Sequence, residues 1–130
     1  MNVVDSSAWL EYFADGPNAA FFAGPIQETE RLVVPSLTIC EVFKRVLQQR
    51  GDGDALQAVA VMQQGVVVDL DARLALSAAR VSLDMRRPMA DSVVLATAKL
   101  HQATLWTQDA DFEGMPGVKF RAKKGAPPSG

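Results

Sequence analysis

Acids occupy three widely separated places where a carboxylate has more than one use. The segment TLWTQDADF, residues 104–112, ends an apolar run in Thr107, Asp109 and Asp111. One aspartate can close a turn locally, but two at alternate positions beside a hydroxyl are more oxygen ligands than a turn needs. VVDSSAW puts Asp5 directly after another apolar run. An aspartate there commonly caps the next helix, as Ser6 or Ser7 also could. MADSVVLATAKL puts Asp91 at the head of a segment apolar on nearly every side, the pattern of a buried helix. A helix N-terminus stabilises an anion by ~0.3–1 kcal/mol, so Asp91 too has a structural use beside the chemical one.

Other acids read more plainly. On a helical wheel Glu41 falls with Lys44, Arg45 and Gln48, opposite Ile39, Cys40, Phe43, Val46 and Leu47. Periodicity alone makes it a solvated partner of the basic residues three and four positions on. In VVVDLDARL, Asp71 reads as the cap of the following helix, while Asp69 is open to either use.

If Asp5, Asp91 and Asp109 converge, two charges ~4 Å apart repel by roughly 4 kcal/mol at an effective dielectric near 20. A cation or a bound proton must relieve that. Oxygen-only ligation selects hard ions such as Mg²⁺ or Mn²⁺. With one histidine and one cysteine the chain cannot furnish a typical zinc site. One or two such ions would activate water and hold a phosphodiester for in-line displacement. His101, at a helix end, reads as a surface or packing residue, so a Ser-His-Asp triad finds no support.

The elements that must position these acids are short. Apolar runs at 2–4, 32–34, 66–68, 104–106 and 118–120 read as four or five strands covered on both faces. SSAWLEYFA, PSLTICEVFKRVLQQRG, DALQAVAVMQQG, DARLALSAARVSLDMRR and ADSVVLATAKLHQ between them read as helices, with Asp or Ser starts and glycine ends. Strands alternating with helices predict an α/β domain, a central parallel sheet with helices on both faces. In such sheets the working crevice lies beyond the carboxyl ends of the strands. Asp5 follows the first strand, Thr107 and Asp109 the fourth, so both fall on one edge.

The totals exclude more than they specify. A chain of 130 residues, 48% hydrophobic and 22% charged, fits one soluble domain with a core of its own. No apolar stretch reaches the ~18–20 residues of a membrane span. NVVDSSAWL lacks the basic start and cleavage site of a signal peptide. Cys40, among Leu37, Ile39 and Phe43, reads as a buried inert thiol. These features point to the cytoplasm. A net charge of −2 gives no global attraction to nucleic acid. Lys119, Arg121, Lys123 and Lys124 cluster just before the terminal GAPPSG and read as part of a solvated tail, with a phosphate or partner contact as the alternative.

VVDSSAWLEYF, PSLTICEVFKR and MADSVVLATAKLHQATLWTQDADF together resemble the PIN-domain ribonucleases, above all the toxin subunits of VapBC-type toxin–antitoxin pairs. The resemblance covers roughly residues 1–120. It implies a three-layer α/β/α domain over residues 1–121; the short basic, Pro/Gly tail, 122–130, lies beyond it and is expected from composition to be disordered. It implies that Asp5, Glu41, Asp91 and Asp109 bind Mg²⁺ or Mn²⁺, that Asp111 assists, and that Ser7 and Thr107 hydrogen-bond the cluster. It thus promotes Glu41, which the wheel demotes. The implied activity is endoribonucleolytic cleavage of single-stranded RNA, arresting growth until a cognate antitoxin blocks it. A homodimer is implied as well. Trp9, Tyr12, Phe13, Phe21 and Phe22 could line a groove for an antitoxin helix, although core packing suits Trp9 and Phe13 better. Arg86, Arg87 and Lys99 lie near Asp91 in sequence and could meet RNA phosphates.

Rival readings fit less well. A receiver-like phosphoacceptor domain could use Asp69, Thr107 and Lys119, but it wants adjacent acids after the first strand, where Asp5-Ser6-Ser7 stands. A haloacid-dehalogenase-like phosphatase wants an acid at Ser7. A metal-dependent adhesion site wants a serine at Trp9. A binding module without chemistry would not need the whole acid set.

Overall fold

The computed structural model describes residues 1–124. Five strands, β1 (Asn2–Val4), β2 (Leu32–Pro35), β3 (Val66–Val68), β4 (Thr104–Thr107) and β5 (Val118–Phe120), form one sheet in the order β3-β2-β1-β4-β5. Every pairing is parallel. The chain winds outward through β1, β2 and β3, then returns to lay β4 against the free side of β1. That reversal makes β1/β4 the topological switch point, where α/β sheets open a crevice beyond their carboxyl ends.

Six helices cover the sheet: α1 (Ser6–Phe13), α2 (Ala19–Gln27), α3 (Ser36–Arg50), α4 (Asp52–Met62), α5 (Ala72–Met85) and α6 (Met89–Leu100). The alternation of strand side chains separates two cores. Val4, Leu32 and Val34 pack with Trp9, Phe22, Ile26, Val42 and Met62 from α1 to α4 on one face. Val3, Val33 and Leu105 pack with Val94, Leu95 and Ala98 of α6 and with Phe112 on the other. Leu74 and Ala78 tie α5 to α6. The result is a three-layer α/β/α domain.

Each of the five apolar runs is a strand, but β3 lies at the sheet edge and leaves Val66 48% and Val67 40% exposed rather than covered on both faces. The helix α2 has no counterpart in the sequence reading. Gly24 and Pro25 look like breakers, and Pro25 does cost the segment a backbone donor. Burial of Ala19, Phe22 and Ile26 along one stripe keeps the helix nonetheless. Cys40 is exposed, not buried. The buried line of α3 is Thr38, Val42 and Val46, so the wheel is turned from the one drawn by hydrophobicity, and Cys40 and Leu47 face outward. The tail is described only as far as Lys124. Residues 125–130 lie outside the described residues.

Gly65 marks a tight approach between the end of α4 and β2. A methyl group there would stand 2.8 Å from Val34 Cγ2 and 2.9 Å from the Leu32 carbonyl oxygen, and a backbone oxygen cannot rotate away. Gly65→Ala is expected to cost about 1–3 kcal/mol by overpacking, read as a lower midpoint in urea unfolding. An unchanged midpoint would show that β2 and α4 are less tightly joined than described.

Candidate metal centre

Asp5 is the pivot. It follows β1, caps α1 by accepting from the Ser6 backbone N–H at 2.8 Å, and is only 4% exposed. Its Oδ2 accepts from the Ser7 hydroxyl at 2.8 Å and from the Thr107 hydroxyl at 2.9 Å. The Thr107 oxygen in turn accepts from the Asp109 N–H at 2.9 Å. This relay joins the ends of β1 and β4, which are also tied by Asp5 N–H donating to the Trp106 carbonyl at 2.9 Å. Asp109 caps a short 3-10 turn, Ala110–Phe112, by accepting from the Asp111 N–H at 2.9 Å. The caps fix both carboxylates in place.

Asp91 enters from the other side of the sheet, in the first turn of α6. One carboxylate oxygen each from Asp91, Asp109 and Asp111 lie within 4.8 Å of one another. Glu41, half-buried on α3, is close enough to Asp5 and Asp91 for each to raise its pKa. The structure thus brings Asp5, Glu41, Asp91, Asp109 and Asp111 to one region, with Ser7 and Thr107 bonded to it. Asp111 belongs to the tightest group, closer in than its supporting position in the sequence reading. Asp71 caps α5 through the Leu74 N–H and stands apart. Asp69 is exposed beyond β3, with β2 intervening before β1, and the Lys119 ammonium packs over the Trp106 ring at 4.7 Å. A receiver-like arrangement is not assembled.

Burial and mutual repulsion act in the same direction. Burial pushes the Asp5 carboxyl up, with a smaller push from Asp109, against the hydrogen bonds from Ser7, Thr107 and Ser6. Burial likewise raises Glu41, followed by the charges of Asp5 and Asp91, with the nearby Ser6 side chain opposing. Asp91 is pushed up to about 6, by burial first and then by Asp109, Asp5 and Asp111. The only ion pair among the described residues joins Arg87 Nη1 to Asp111 Oδ1 at 3.8 Å. Of the three basic residues near Asp91 in sequence, Arg87 leans on this outer acid and over the Phe112 ring at 5.9 Å. It lowers Asp91 only as the last of five influences.

The donor set fits a hard divalent cation. It offers carboxylate oxygens alone, and its buried members have no internal counter-charge comparable to their own. A carboxylate oxygen has two lone pairs; the hydrogen bonds fill both on Asp5 Oδ2 and one on Oδ1, leaving Oδ1 a position for a ligand bond. Sequence reasoning missed the supports one layer out. Asn18 donates to the Gln108 side chain at 3.1 Å and to the Ala122 carbonyl at 2.9 Å, while its own N–H donates to Glu11 at 2.7 Å. No local signal marks these contacts, since they join residues far apart in the chain.

The raised acids set the sign of a pH effect. A carboxyl whose folded pKa lies above its unfolded value opposes folding when ionised. For Asp91 that penalty is absent below about 3.8 and complete above about 6. Metal-free protein is therefore expected to gain stability from this group as pH falls from 7 toward 5. Asp91→Asn is expected to raise the melting temperature at pH 7.5 in chelator and to narrow its lead as pH drops. A variant less stable than the wild type at pH 7.5 would contradict the repulsion.

The sequence matches the PIN domain family over residues 3–118. No curated protein matches the chain in sequence. Among solved structures, a toxin–antitoxin complex from Klebsiella pneumoniae superposes with a TM-score of 0.78 at 18% identity, covering 92% of this chain and 96% of that one. VapC20 of Mycobacterium tuberculosis, described as a sarcin–ricin loop cleaving toxin, aligns with a TM-score of 0.71 at 17% identity over 86% and 92% of the two chains. PAE2754 from Pyrobaculum aerophilum aligns at 0.71 with 22% identity, over 92% and 87%. At such identities the likeness is one of fold. The sequence match over most of its length, on this sheet order, makes the chain a member of the PIN domain family.

Proposed function

We propose that this protein is a divalent-metal-dependent endoribonuclease and the toxin of a VapBC-type toxin–antitoxin pair. The observation that carries the reading is the gathering of acids at the β1/β4 switch point, with Asp5 buried, Asp91 pushed up to about 6, and Arg87 paired only with the outermost, Asp111. Asp5, Glu41, Asp91 and Asp109 would hold Mg²⁺ or Mn²⁺, with Asp111 assisting. When bound, such an ion lowers the pKa of a ligated water and stabilises charge on phosphodiester oxygens. The chain's own part is placement. Ser7 and Thr107 lock the Asp5 carboxylate in one rotamer, so its free lone pair is aimed before any ligand arrives. The N-terminus of α6 favours the anionic form of Asp91, partly offsetting the repulsion around it. The toxin assignment is supported by the fold shared with a toxin–antitoxin complex of Klebsiella pneumoniae and with a toxin described as cleaving the sarcin–ricin loop. No helix of the described residues is long and apolar enough to cross a membrane, and we place the activity in the cytoplasm.

The same reading assigns two protein partners. A cavity of about 260 Å³ between α1, α3 and α4 is lined by Leu10, Phe13, Val46, Ala58 and Val61 together with Arg50 and Asp54. It suits an amphipathic helix of an antitoxin. Of the aromatic group, Phe13 lines this cavity, while Trp9 and Phe22 are buried in the core. A second copy of the chain would cover α5, whose Leu76 and Leu83, 68% and 80% exposed, lie one heptad apart on a single face.

Asp109→Asn and Asp91→Asn are expected to leave the domain folded and to cut Mg²⁺-dependent RNA cleavage by more than about 100-fold. Thr107→Val, which removes only the relay, falls within roughly 10–100-fold. Asp69→Asn keeps full activity and growth arrest. Cleavage undiminished in both acid variants, in preparations free of contaminating nuclease, would refute the assignment. For the second copy, Leu76→Glu with Leu83→Glu is expected to convert a dimer to monomers in sedimentation velocity; a dimer that persists places the contact elsewhere.

A further inference from the structure

Beside the carboxylate cluster, on the side away from α6, lies a second cavity of about 360 Å³. Its wall includes Ser7, Glu11, Arg45, Gln49, Gln108 and Lys123. Ser7 is also bonded to Asp5, so this cavity shares a wall with the acid cluster. Two of its lining side chains are cations, Arg45 from α3 and Lys123 from beyond β5, and neither makes an ion pair within 4 Å among the described residues. Glu11, the one acid of the lining, is buried and has Oε2 occupied by the Asn18 N–H at 2.7 Å.

Lys123 is brought there by construction. The Arg121 N–H continues the β4–β5 ladder by donating to the Thr107 carbonyl at 3.1 Å, and the buried Asn18 holds the Ala122 carbonyl. Asn18 also orients Gln108, whose amide reaches the Ser7 carbonyl at 3.4 Å. Upstream, Lys119 lies over Trp106 at 4.7 Å and Arg121 over Phe21 at 4.2 Å, on rings that touch each other. Lys119 and Arg121 are two residues apart, roughly 6.6 Å along an extended chain. A row of cations on an aromatic bed thus runs along β5 and on to the cavity. Charges spaced in this way on aromatic supports suit the backbone of a single strand.

We propose that the cavity is a subsite for a backbone phosphate of single-stranded RNA, held by Arg45 and Lys123, with Lys119 and Arg121 guiding the strand toward it. The inference rests on the nuclease reading above and adds where the strand lies. It also supplies what the acid cluster lacks, since bare carboxylates repel the phosphates they are to act on.

The test uses the full chain, a single-stranded oligoribonucleotide, and Arg45→Gln with Lys123→Gln, singly and together. In wild-type background, Mg²⁺-dependent cleavage is followed. In a non-cleaving Asp109→Asn background, affinity is measured by anisotropy across a salt series. The double variant is expected to raise KM and Kd by about tenfold, leave kcat within about twofold, and flatten the slope of log Kd against log salt by about 1.4, at ~0.7 per lost contact. Arg45→Lys should retain most of the affinity, and Lys44→Gln, exposed on the same helix, should change nothing. An unchanged KM and salt slope in a double variant, alongside a wild type that cleaves, would overturn the subsite and leave the nuclease reading standing. A wild type that cleaves no RNA would remove both. A loss of affinity confined to an oligoglutamate peptide of equal charge would make the cavity a seat for acidic protein segments and overturn the proposal.

Discussion

Repulsion among carboxylates gathered around the buried Asp5 is the constraint around which this domain is arranged. Two charges ~4 Å apart repel by roughly 4 kcal/mol at an effective dielectric near 20, less where water screens them, and here five acids from four segments share one region. A chain keeps such a grouping only if its surroundings fix it. Three features do so. The parallel pairing of β1 with β4 brings Asp5 and Thr107 side by side. The Asp5–Thr107–Asp109 relay locks two loops to each other. The buried helix α6 delivers Asp91 from the opposite layer, its charge at the favourable end of the helix. Arg87 offsets only the outermost acid.

The topology explains why such short strands suffice. Strands of three or four residues offer little sheet, but the reversal of winding at β1 leaves a gap between the connections on either side. The first and fourth strands end there together. β1 runs into Asp5, which caps α1, and β4 ends on Thr107, whose hydroxyl holds the N–H of Asp109, the cap of the next turn, so the residues that follow the strands are also those of the candidate site. Mutations that disturb the caps would disturb the site with them.

Much of this was legible in the chain. Short apolar runs placed all five strands, most clearly the central ones buried between helices, and the position of Asp5, Thr107 and Asp109 after strands marked the edge of the sheet. What failed had physical causes. Pro25 obscured α2, since burial of Phe22 and Ile26 outweighs one lost hydrogen bond. Glu41 and Cys40 were exchanged in character because α3 buries the line through Thr38, with a threonine where hydrophobicity alone sought an apolar residue. The Thr38 hydroxyl satisfies itself on the Pro35 carbonyl at 2.6 Å, and no wheel registers that. The basic end of the chain, read as part of a solvated tail, is partly built in. Asn18 and Phe21 hold it from a helix that the sequence did not announce.

The claim on which everything else stands is that these acids form one divalent-cation site. Titration of the protein with Mn²⁺, followed by loss of the free-ion signal in electron paramagnetic resonance, tests it without reference to any substrate. The expected result is saturable binding of one or two ions in the wild type, lost when Asp5, Asp91 and Asp109 are together replaced by asparagine in a protein that still folds. Binding of equal stoichiometry and affinity in the folded triple variant would contradict the account.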